Sequence, residues 1–418
     1  MKWRELKALQ QRPLDDKIAE ARRVIAEALR VAARPALAFS AGKDSTVLRD
    51  LIYRFFPEAV PRLITIYGNT GVEYPECVQF ARRIARETPN FYESRPAKTD
   101  RPGFRYAGQR RIWQWLIETG RIGQVLKPDG KLKSTAALER ACPPELREEL
   151  ERARWIWPTG TVMSYWWCCD QYGFPLLGKA WSRLDAHRIN IDTFLRFSAS
   201  RSEDASLLAY YDVLRQVRIS QHCCQVLKKL PAERVQAELG VDLIFKGLMA
   251  SESRSRTKNF LTRGWLFEGA RKPYLHGEPF YHCQPMATWT EADVWHYIER
   301  YQVSYASLYD RTFVALDGTV QRVKRNGCLG CATDFGFQNN HLYVLRQTHP
   351  SAWRAVMRAG MAQEIRNLQR AMRAGQLSLF DAFETEELIE AQPCTFDDLD
   401  GLGGWEADSG LFYDPEVD

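Results

Sequence analysis

The sequence contains no long hydrophobic run. None of its apolar stretches approaches the roughly 18–20 residues that a membrane-spanning helix needs. Its first residues, MKWRELKALQQRPLDDK, carry charges throughout and lack the apolar core of a secretory signal. We therefore expect a cytoplasmic protein with no membrane partner. In a reducing compartment, the ten cysteines predict metal binding or reactivity rather than disulfides.

Basic residues are absent from the end of the chain. Residues 381–418 contain thirteen Asp and Glu and no Lys or Arg, which predicts a flexible acidic tail. Since the whole chain carries +6, the first 380 residues carry about +19. Such a body favours an anionic partner, either a nucleotide or a nucleic acid, although a solvated basic surface would look the same.

The order of apolar and small-residue segments predicts the fold. Helical periodicity covers 15–33, and a strand at 35–40 is followed by a loop and a helix over 43–56. A second strand at 62–67 is again followed by a helix, over 75–86. This order predicts an α/β fold with a doubly wound, mostly parallel sheet, whose ligands gather at the carboxyl ends of the strands.

The rest of the chain divides by composition. Residues 1–96 form the first part of the predicted nucleotide-binding domain. Residues 97–215 are rich in Arg and Trp, and we predict that they form a large, mostly helical insertion. A strand-like stretch near 241–247 resumes the sheet within the second part, 216–350. We expect C-terminal helices over 351–380, followed by the tail over 381–418.

A Walker A motif is also absent, yet FSAGKDST at 39–46 has the parts of a phosphate-binding loop. Small residues let backbone N–H groups approach phosphate oxygens, and the helix after Gly42 directs its positive end at the anion. Lys43 adds a full charge, while Ser40 and Ser45 add hydroxyl donors. Asp44 suits a helix cap or a Mg²⁺ ligand.

This loop resembles the PP-loop, S-G-G-K-D-S, of the ATP-pyrophosphatase superfamily, with Ala41 at the second position. Further segments resemble its PAPS/APS reductase family, including the DNA phosphorothioation-type and CRISPR- or defence-associated members. These segments are NTGVE at 69–73, CCQVLKKLP at 223–231, GLMASESRSR at 247–256, PMATWTEADVW at 285–295 and GCLGC at 327–331. The likeness covers about 35–96 and 217–350, and its strength lies in the combination.

The resemblance implies an adenine nucleotide alpha-hydrolase-like fold and reaction at the α-phosphate of ATP, APS or PAPS, with Mg²⁺ if ATP is used. It implies catalytic roles for Lys43, Asp44, Arg254 and Arg256. For the two arginines, a role in surface ion pairs is an equally good interpretation. The nucleotide-binding residues that it implies are Ser40, Ala41, Gly42, Lys43, Asp44, Ser45, Asn69, Thr70, Gly71 and Gly247.

Two cysteine motifs predict a metal centre. Cys328 and Cys331 form a C-x-x-C turn, and Cys223 and Cys224 form a tandem pair, which together supply four thiolates for zinc or a [4Fe–4S] cluster. The resemblance favours the cluster, although adjacent side chains of an extended segment point in opposite directions, so one of the tandem pair could be free. A second tandem pair at 168–169, among aromatic residues, predicts core packing.

The E-C-G-x-H motif of sulfonucleotide reductases is absent, and Cys394 in the tail lacks the basic neighbours of a reactive thiolate. Three functions therefore stay open. The first is ATP-dependent adenylation or pyrophosphate release coupled to sulfur transfer to DNA, tRNA or a small acceptor. The second is a sulfonucleotide reductase with an unconventional cysteine. The third is a nucleotide-binding accessory protein with little turnover.

The segment QLSLF, Gln376–Phe380, resembles the pentapeptide that docks bacterial proteins on the DNA sliding clamp. It follows a predicted helix and precedes the acidic tail, where an extended peptide would be accessible to a partner. Packing of its apolar residues on the body is the alternative. Clamp docking would bring the enzyme to DNA, in agreement with the basic body.

Overall fold

The structure is a computed structural model that describes residues 3–100, 159–176, 219–335 and 338–366, with short pieces between 103 and 157. The described helices are α1 (Trp3–Gln10), α2 (Leu14–Val31), α3 (Lys43–Phe55), α4 (Pro75–Arg86), α5 (Ile122–Val125), α6 (Tyr165–Tyr172), α7 (His222–Cys224), α8 (Leu230–Glu238), α9 (Arg254–Arg263), α10 (Glu291–Tyr301), α11 (His341–Thr348) and α12 (Pro350–Val356). A π-helical turn, Gln225–Lys229, joins α7 to α8.

The described strands are β1 (Pro35–Phe39), β2 (Ile64–Gly68), β3 (Phe91–Ser94), β4 (Gly103–Phe104), β5 (Ile156–Trp157), β6 (Leu243–Lys246), β7 (Leu266–Glu268), β8 (Tyr281–Cys283), β9 (Thr312–Val314) and β10 (Val320–Arg322). Six of them form one sheet in the order β3-β2-β1-β6-β8-β7, and β4–β5 and β9–β10 form separate antiparallel pairs. All pairings in the main sheet are parallel except β7–β8.

Both faces of this sheet are covered by helices, because its central strands are apolar on both sides. Helices α2, α3 and α10 pack on one face around Leu37 and Phe245. On the other face, α8 packs around Ala36, Ile64 and Ile244. The predicted doubly wound, mostly parallel α/β fold is confirmed, and β1, α3, β2 and α4 lie within two residues of their predicted bounds.

Other sequence predictions fall outside the described residues. Of the predicted helical insertion over 97–215, the structure describes short pieces, among them α6. The QLSLF segment, Cys394 and the acidic tail also lie outside. No helix in the described part of the chain is long and apolar enough to cross a membrane.

Helix α10 is tied to the rest of the fold by a buried ion pair. Asp293 Oδ2 accepts hydrogen bonds from the backbone N–H and the hydroxyl of Thr290, each at 2.7 Å, and so caps the helix. The same oxygen lies 2.6 Å from Nζ of Lys17, whose side chain is 3% exposed. The Asp of the P-x-x-x-W-x-x-x-D-V-W segment therefore has a structural role in this chain.

Replacing Asp293 with Asn is expected to lower the free energy of unfolding by about 3 kcal/mol, since it leaves a buried ammonium without its counter-charge. Urea unfolding, with the midpoint falling at an unchanged slope, measures this effect. The control is Asp16→Asn, an exposed acid in the first turn of α2, where the expected change is within about 1 kcal/mol. Equal losses in the two variants would contradict the assignment.

Candidate active site

The predicted phosphate loop connects β1 to α3 at the carboxyl edge of the sheet. The backbone N–H of Ser40 donates to Oγ of Ser45 at 3.2 Å, and the hydroxyl of Ser45 donates to the carbonyl of Gly42 at 2.9 Å. Ala41 has a φ of +55°, a left-handed conformation that favours glycine, the residue usual at this position of the motif. No side chain of the described residues caps α3 at Gly42, so the positive end of this helix faces the loop.

Lys43 and Asp44 open helix α3 and carry the charges next to the loop. The Lys43 side chain is 5% exposed, and its Nζ lies 3.5 Å from Oδ1 of Asp44 and 3.6 Å from Oε1 of Glu291. It also donates to the carbonyl of Lys324 at 3.0 Å. Burial raises the pKa of Asp44 and nearby Glu291 adds to this, while Lys43 and Arg256 oppose it. Oδ1 of Asp44 is buried, and among the described residues it has no hydrogen-bond partner besides the Lys43 ammonium 3.5 Å away.

The two predicted arginines differ in position. Arg256 pairs with Glu252 and lies close enough to Asp44 for their charges to interact. Burial lowers its pKa, and Arg325 adds to that effect. Arg254, the first residue of α9, is exposed, and among the described residues no hydrogen bond or ion pair joins it to the loop. The structure thus brings Arg256, and not Arg254, to the loop.

Gly247 follows β6 and packs against the first residues of α3, next to the loop. A Cβ atom at this position would lie 2.9 Å from the carbonyl carbon and oxygen of Asp44 and 3.0 Å from the nitrogen of Ser45. These are backbone atoms at the start of α3, which cannot turn aside as a side chain can. The glycine is therefore needed for the close packing of β6 on the N-terminus of α3.

Replacing Gly247 with Ala is expected to displace the start of α3 and weaken ATP binding about tenfold or more, which corresponds to about 1.4 kcal/mol. Titration calorimetry with ATP measures the loss. Gly123→Ala is the matched control, because a Cβ there meets nothing within 4 Å. Unchanged ATP affinity in the Gly247 variant would show that the packing tolerates a methyl group.

A second loop, Asn69 to Glu73, follows β2 and is bonded to the C-x-x-C turn. Glu73 accepts from the backbone N–H of Thr70 at 3.0 Å and from its hydroxyl at 2.6 Å. The Thr70 hydroxyl also lies 3.5 Å from Sγ of Cys328, and the N–H of Leu329 donates to the carbonyl of Val72 at 2.7 Å. The predicted nucleotide loop and the predicted metal-binding turn are therefore directly connected.

Asn69 and Gly71 shape the same loop. The Asn69 side chain donates to Glu93 and accepts from the N–H of Gly71 at 2.8 Å, and Gly71 adopts a φ of +79°. These contacts hold the turn that presents Thr70.

A cavity of about 220 Å³ opens between the two loops, at the ends of β1 and β2. Ser40, Gly68 and Glu73 line it, together with Lys228 and Asn326 from segments later in the chain. Protein atoms surround the Lys228 ammonium closely, yet part of the side chain is exposed to the cavity. Cys328 raises the pKa of Lys228 most, burial opposes this effect, and Cys224 and Cys331 raise the pKa further.

The four predicted metal ligands come together in one apolar cluster. Cys223 and Cys328 belong to its buried core, and Cys224 and Cys331 pack against it. Cys168 and Cys169 are buried in the same cluster, as expected for core packing. Among the described residues, no three Cys, His, Asp or Glu side chains are arranged to enclose a single ion. Burial raises the pKa of Cys328 to about 11, which describes a protonated thiol when no metal is bound.

Sequence reasoning missed Lys228, Glu291 and Asn326. Lys228 is the Lys of the C-C-x-x-L-K-x-x-P segment, so the resemblance to the family could have identified it as a site residue. Asn326 donates to the carbonyl of Ser40 at 2.8 Å and covers Gly42, where a Cβ would meet Oδ1 of Asn326 at 2.8 Å. Nothing in the sequence pattern indicates that contact, which joins segments far apart in the chain.

Comparison with known proteins places this site in a family. The profile of the phosphoadenosine phosphosulfate reductase domain matches residues 34–139 and 177–325, more than half of the chain. No curated protein matches the chain significantly in sequence.

Two solved structures show weak overall similarity to the chain. One is a phosphoadenylyl-sulfate (PAPS) reductase from Candida auris in a phosphate complex, 14% identical, with a TM-score of 0.30 over 74% of this chain and 92% of that one. The other is an FMN adenylyltransferase from Candida glabrata with FMN and the ATP analogue AMPCPP, 11% identical, with a TM-score of 0.31 over 76% of this chain and 68% of that one.

Proposed function

Because the chain belongs to the phosphoadenosine phosphosulfate reductase domain family, we propose that this nucleotide-binding PP-loop protein is an enzyme acting at the α-phosphate of ATP and coupling that reaction to sulfur transfer. An acceptor oxygen bonds to the α-phosphorus, the bond from this phosphorus to the bridging oxygen breaks, and pyrophosphate leaves with the electron pair. The acceptor proton passes to solvent. The observation that carries the proposal is the direct bonding of the second loop to the C-x-x-C turn.

In this reaction the chain positions the nucleotide and neutralises the charge of its phosphates. Lys43, the amino end of α3 and Arg256 neutralise the leaving pyrophosphate, and Lys228 faces the nucleotide from the opposite wall of the cavity. Asp44 is the best candidate to hold the Mg²⁺ that accompanies ATP, since carboxylate oxygens suit that ion and its buried Oδ1 has, within the described part of the chain, no hydrogen-bond partner besides Lys43. Glu291, whose Oε1 lies 3.6 Å from Nζ of Lys43, is a second carboxylate near this position.

We propose a [4Fe–4S] cluster as the cofactor at the thiol cluster. The donor set fits this group: several buried thiols lie in apolar surroundings, with the Lys228 ammonium beside them to balance thiolate charge. The resemblance to the reductase family favours the cluster, and zinc at the same thiols is the alternative. When bound, the cluster would supply electrons or sulfur for the transfer.

The experiment is anaerobic purification with iron, sulfide and zinc analysis, followed by incubation with ATP, APS and PAPS. Pyrophosphate release from ATP by an iron-loaded protein is the expected result. Binding of nucleotide without turnover would instead favour the accessory protein. Wild-type protein that is colourless and zinc-loaded would remove the cluster from the proposal.

A sulfonucleotide reductase is the second candidate, and the family membership favours it. Such an enzyme needs a nucleophilic thiolate, whereas burial raises the pKa of the described thiols Cys77, Cys168 and Cys328. Thiol-dependent release of sulfite from APS or PAPS, with no pyrophosphate from ATP, would select this candidate.

A nucleic acid, either DNA or tRNA, is the acceptor we favour, because the first 380 residues carry about +19. Deleting Gln376–Phe380 is expected to weaken pull-down by the DNA sliding clamp at least tenfold while pyrophosphate release stays unchanged, since the segment is distant in sequence from the site. A variant with the scrambled pentapeptide LSFQL is the control for chain length. Undiminished pull-down of the deletion variant would return the segment to a packing role.

A further inference from the structure

A basic side chain lies beside the cavity, on the face of the sheet that α8 covers. Lys246, the last residue of β6, pairs in register with Ala38 of β1, and paired residues of neighbouring strands place their side chains on the same face. Ala38 lines the cavity, and so does Ile244, two residues before Lys246 on the same strand. The Lys246 side chain therefore lies next to the cavity, at the carboxyl edge of the sheet.

Lys272 reaches the same face of the sheet from the segment between β7 and β8. Its Nζ lies 5.2 Å from the centroid of the Phe280 ring, and Phe280 packs with Ile244 in the core on this face. Burial lowers the pKa of Lys246, and the neighbouring Lys272 ammonium lowers it further. Two ammonium groups are thus held near each other on a partly buried surface.

Little negative charge balances these two ammonium groups. Within the described part of the chain, Lys246 forms no hydrogen bond or ion pair. Nζ of Lys272 lies 3.5 Å from Oε1 of Glu233, whose side chain is 52% exposed. His282, which pairs in register with Ile244, adds no charge, because burial, followed by the two ammonium groups, lowers its pKa to about 4. One exposed carboxylate therefore faces two ammonium groups.

Aromatic rings lie between these cationic side chains. The ring centroid of His282 is 5.2 Å from that of Phe267 and 5.0 Å from that of Phe280. Cζ of Arg263 lies 5.2 Å from the centroid of the Phe267 ring, and Arg263 is exposed while Phe267 is partly exposed. Cationic groups interleaved with accessible aromatic rings are typical of surfaces that bind single-stranded nucleic acid.

The arrangement is unfavourable for the fold by itself. A partly buried ammonium without a counter-charge costs free energy, and a second ammonium nearby adds to this cost. A bound phosphate would neutralise both groups. In the sheet order β2-β1-β6-β8, the Asn69–Glu73 loop lies on one side of the phosphate loop, and Lys246 and His282 lie on the other side. A second reactant could thus approach from the side opposite to the Asn69–Glu73 loop.

We propose that Lys246 and Lys272 form a second phosphate site, which binds a backbone phosphate of the nucleic-acid acceptor beside the nucleotide cavity. The inference rests on the proposed function and adds to it the place where the acceptor strand binds. Phe267 and Arg263 extend the same surface and are available for stacking on a neighbouring base.

The test measures binding of single-stranded DNA and RNA oligonucleotides of about 20 nucleotides to the full-length protein, by fluorescence anisotropy at several salt concentrations. Lys246→Gln and Lys272→Gln are each expected to weaken binding of the preferred oligonucleotide at least about fivefold and to reduce the slope of log K against log salt by about 0.7, since each removes one phosphate contact. The affinity for ATP, measured by calorimetry, should stay at the wild-type value. Lys7→Gln, an exposed residue of α1, is the matched control and should change neither affinity.

Unchanged oligonucleotide binding in both variants, or an equal loss in Lys7→Gln, overturns the inference. Weaker binding of PAPS with unchanged oligonucleotide binding also overturns it, because the two ammonium groups would then hold a phosphate of the nucleotide. Urea unfolding tests for a purely structural role. Lys246→Gln removes one of two neighbouring like charges, so an unchanged or higher midpoint is expected, and a lower midpoint contradicts the inference. Wild-type protein that binds the oligonucleotide but neither binds ATP nor releases pyrophosphate would instead overturn the proposed function.

Discussion

Replacing Lys43 with methionine is expected to reduce pyrophosphate release from ATP at least about a hundredfold. A charge fixed beside a developing anion typically contributes 10²–10³ in rate, about 3–4 kcal/mol, because it needs no reorganisation during the reaction. Lys43 fits this role, since its buried ammonium is held in place by Asp44, Glu291 and the carbonyl of Lys324. A coupled assay for pyrophosphate under saturating ATP measures the loss.

Two controls accompany the Lys43 variant. Lys7→Met removes an exposed charge from α1, far along the chain from the loop, and should release pyrophosphate at the wild-type rate. Lys43→Arg keeps the charge but changes its shape, so intermediate activity is expected. Because Lys43 also separates Asp44 from Glu291, urea unfolding must show that Lys43→Met remains folded. Wild-type turnover in a folded Lys43→Met protein would remove the loop from the mechanism.

Replacing Cys328 and Cys331 together with serine is expected to remove the brown absorbance of anaerobically purified protein and to reduce bound iron to background. Both sulfurs come from one turn, which the hydroxyl of Tyr165 and the N–H of Leu329 hold in place, so the double substitution removes two of the four predicted ligands at once. Iron and sulfide analysis gives the loss per chain. Cys283 is a buried thiol in the core around Leu37 and Phe245, and the Cys283→Ser variant should keep the wild-type spectrum.

Nucleotide binding separates loss of the cluster from loss of the fold in this double variant. The serine protein is expected to bind ATP, since the β1–α3 loop draws its own hydrogen bonds from Ser40, Gly42 and Ser45. Full absorbance in the double variant would place the iron elsewhere in the chain.

The first half of the site could be predicted from sequence because its signals are local. An apolar strand, a small-residue loop and an amphipathic helix follow each other over 35–55, and the structure places β1 and α3 within a residue of the prediction. The strands β3, β7 and β8 gave no such signal. Each has only three or four residues and is partly exposed, so its sequence shows no strand pattern. Pairing with the neighbouring strands stabilises them as strands.

Residue roles were harder to predict than residue positions. The spacing in the SESRSR segment does not distinguish Arg254 from Arg256, because the difference depends on where α9 begins. The sequence predicts Gly247 as a nucleotide contact, and the structure adds that it packs on the backbone of α3. The place of Cys168 depends on contacts between residues more than 150 positions apart, such as that of Tyr165 with Gly330, and no local pattern contains that information.

The docking of Tyr165 on Gly330 also bears on how this chain could be shortened or could have diverged. A polypeptide without residues 140–176, which fall between the two stretches matched by the family profile, would lose Tyr165, Cys168 and the aromatic side chains around them. It would expose the sulfur-rich core to water and dioxygen on that side. The segment 165–176 therefore cannot be treated as an appendage of the family domain.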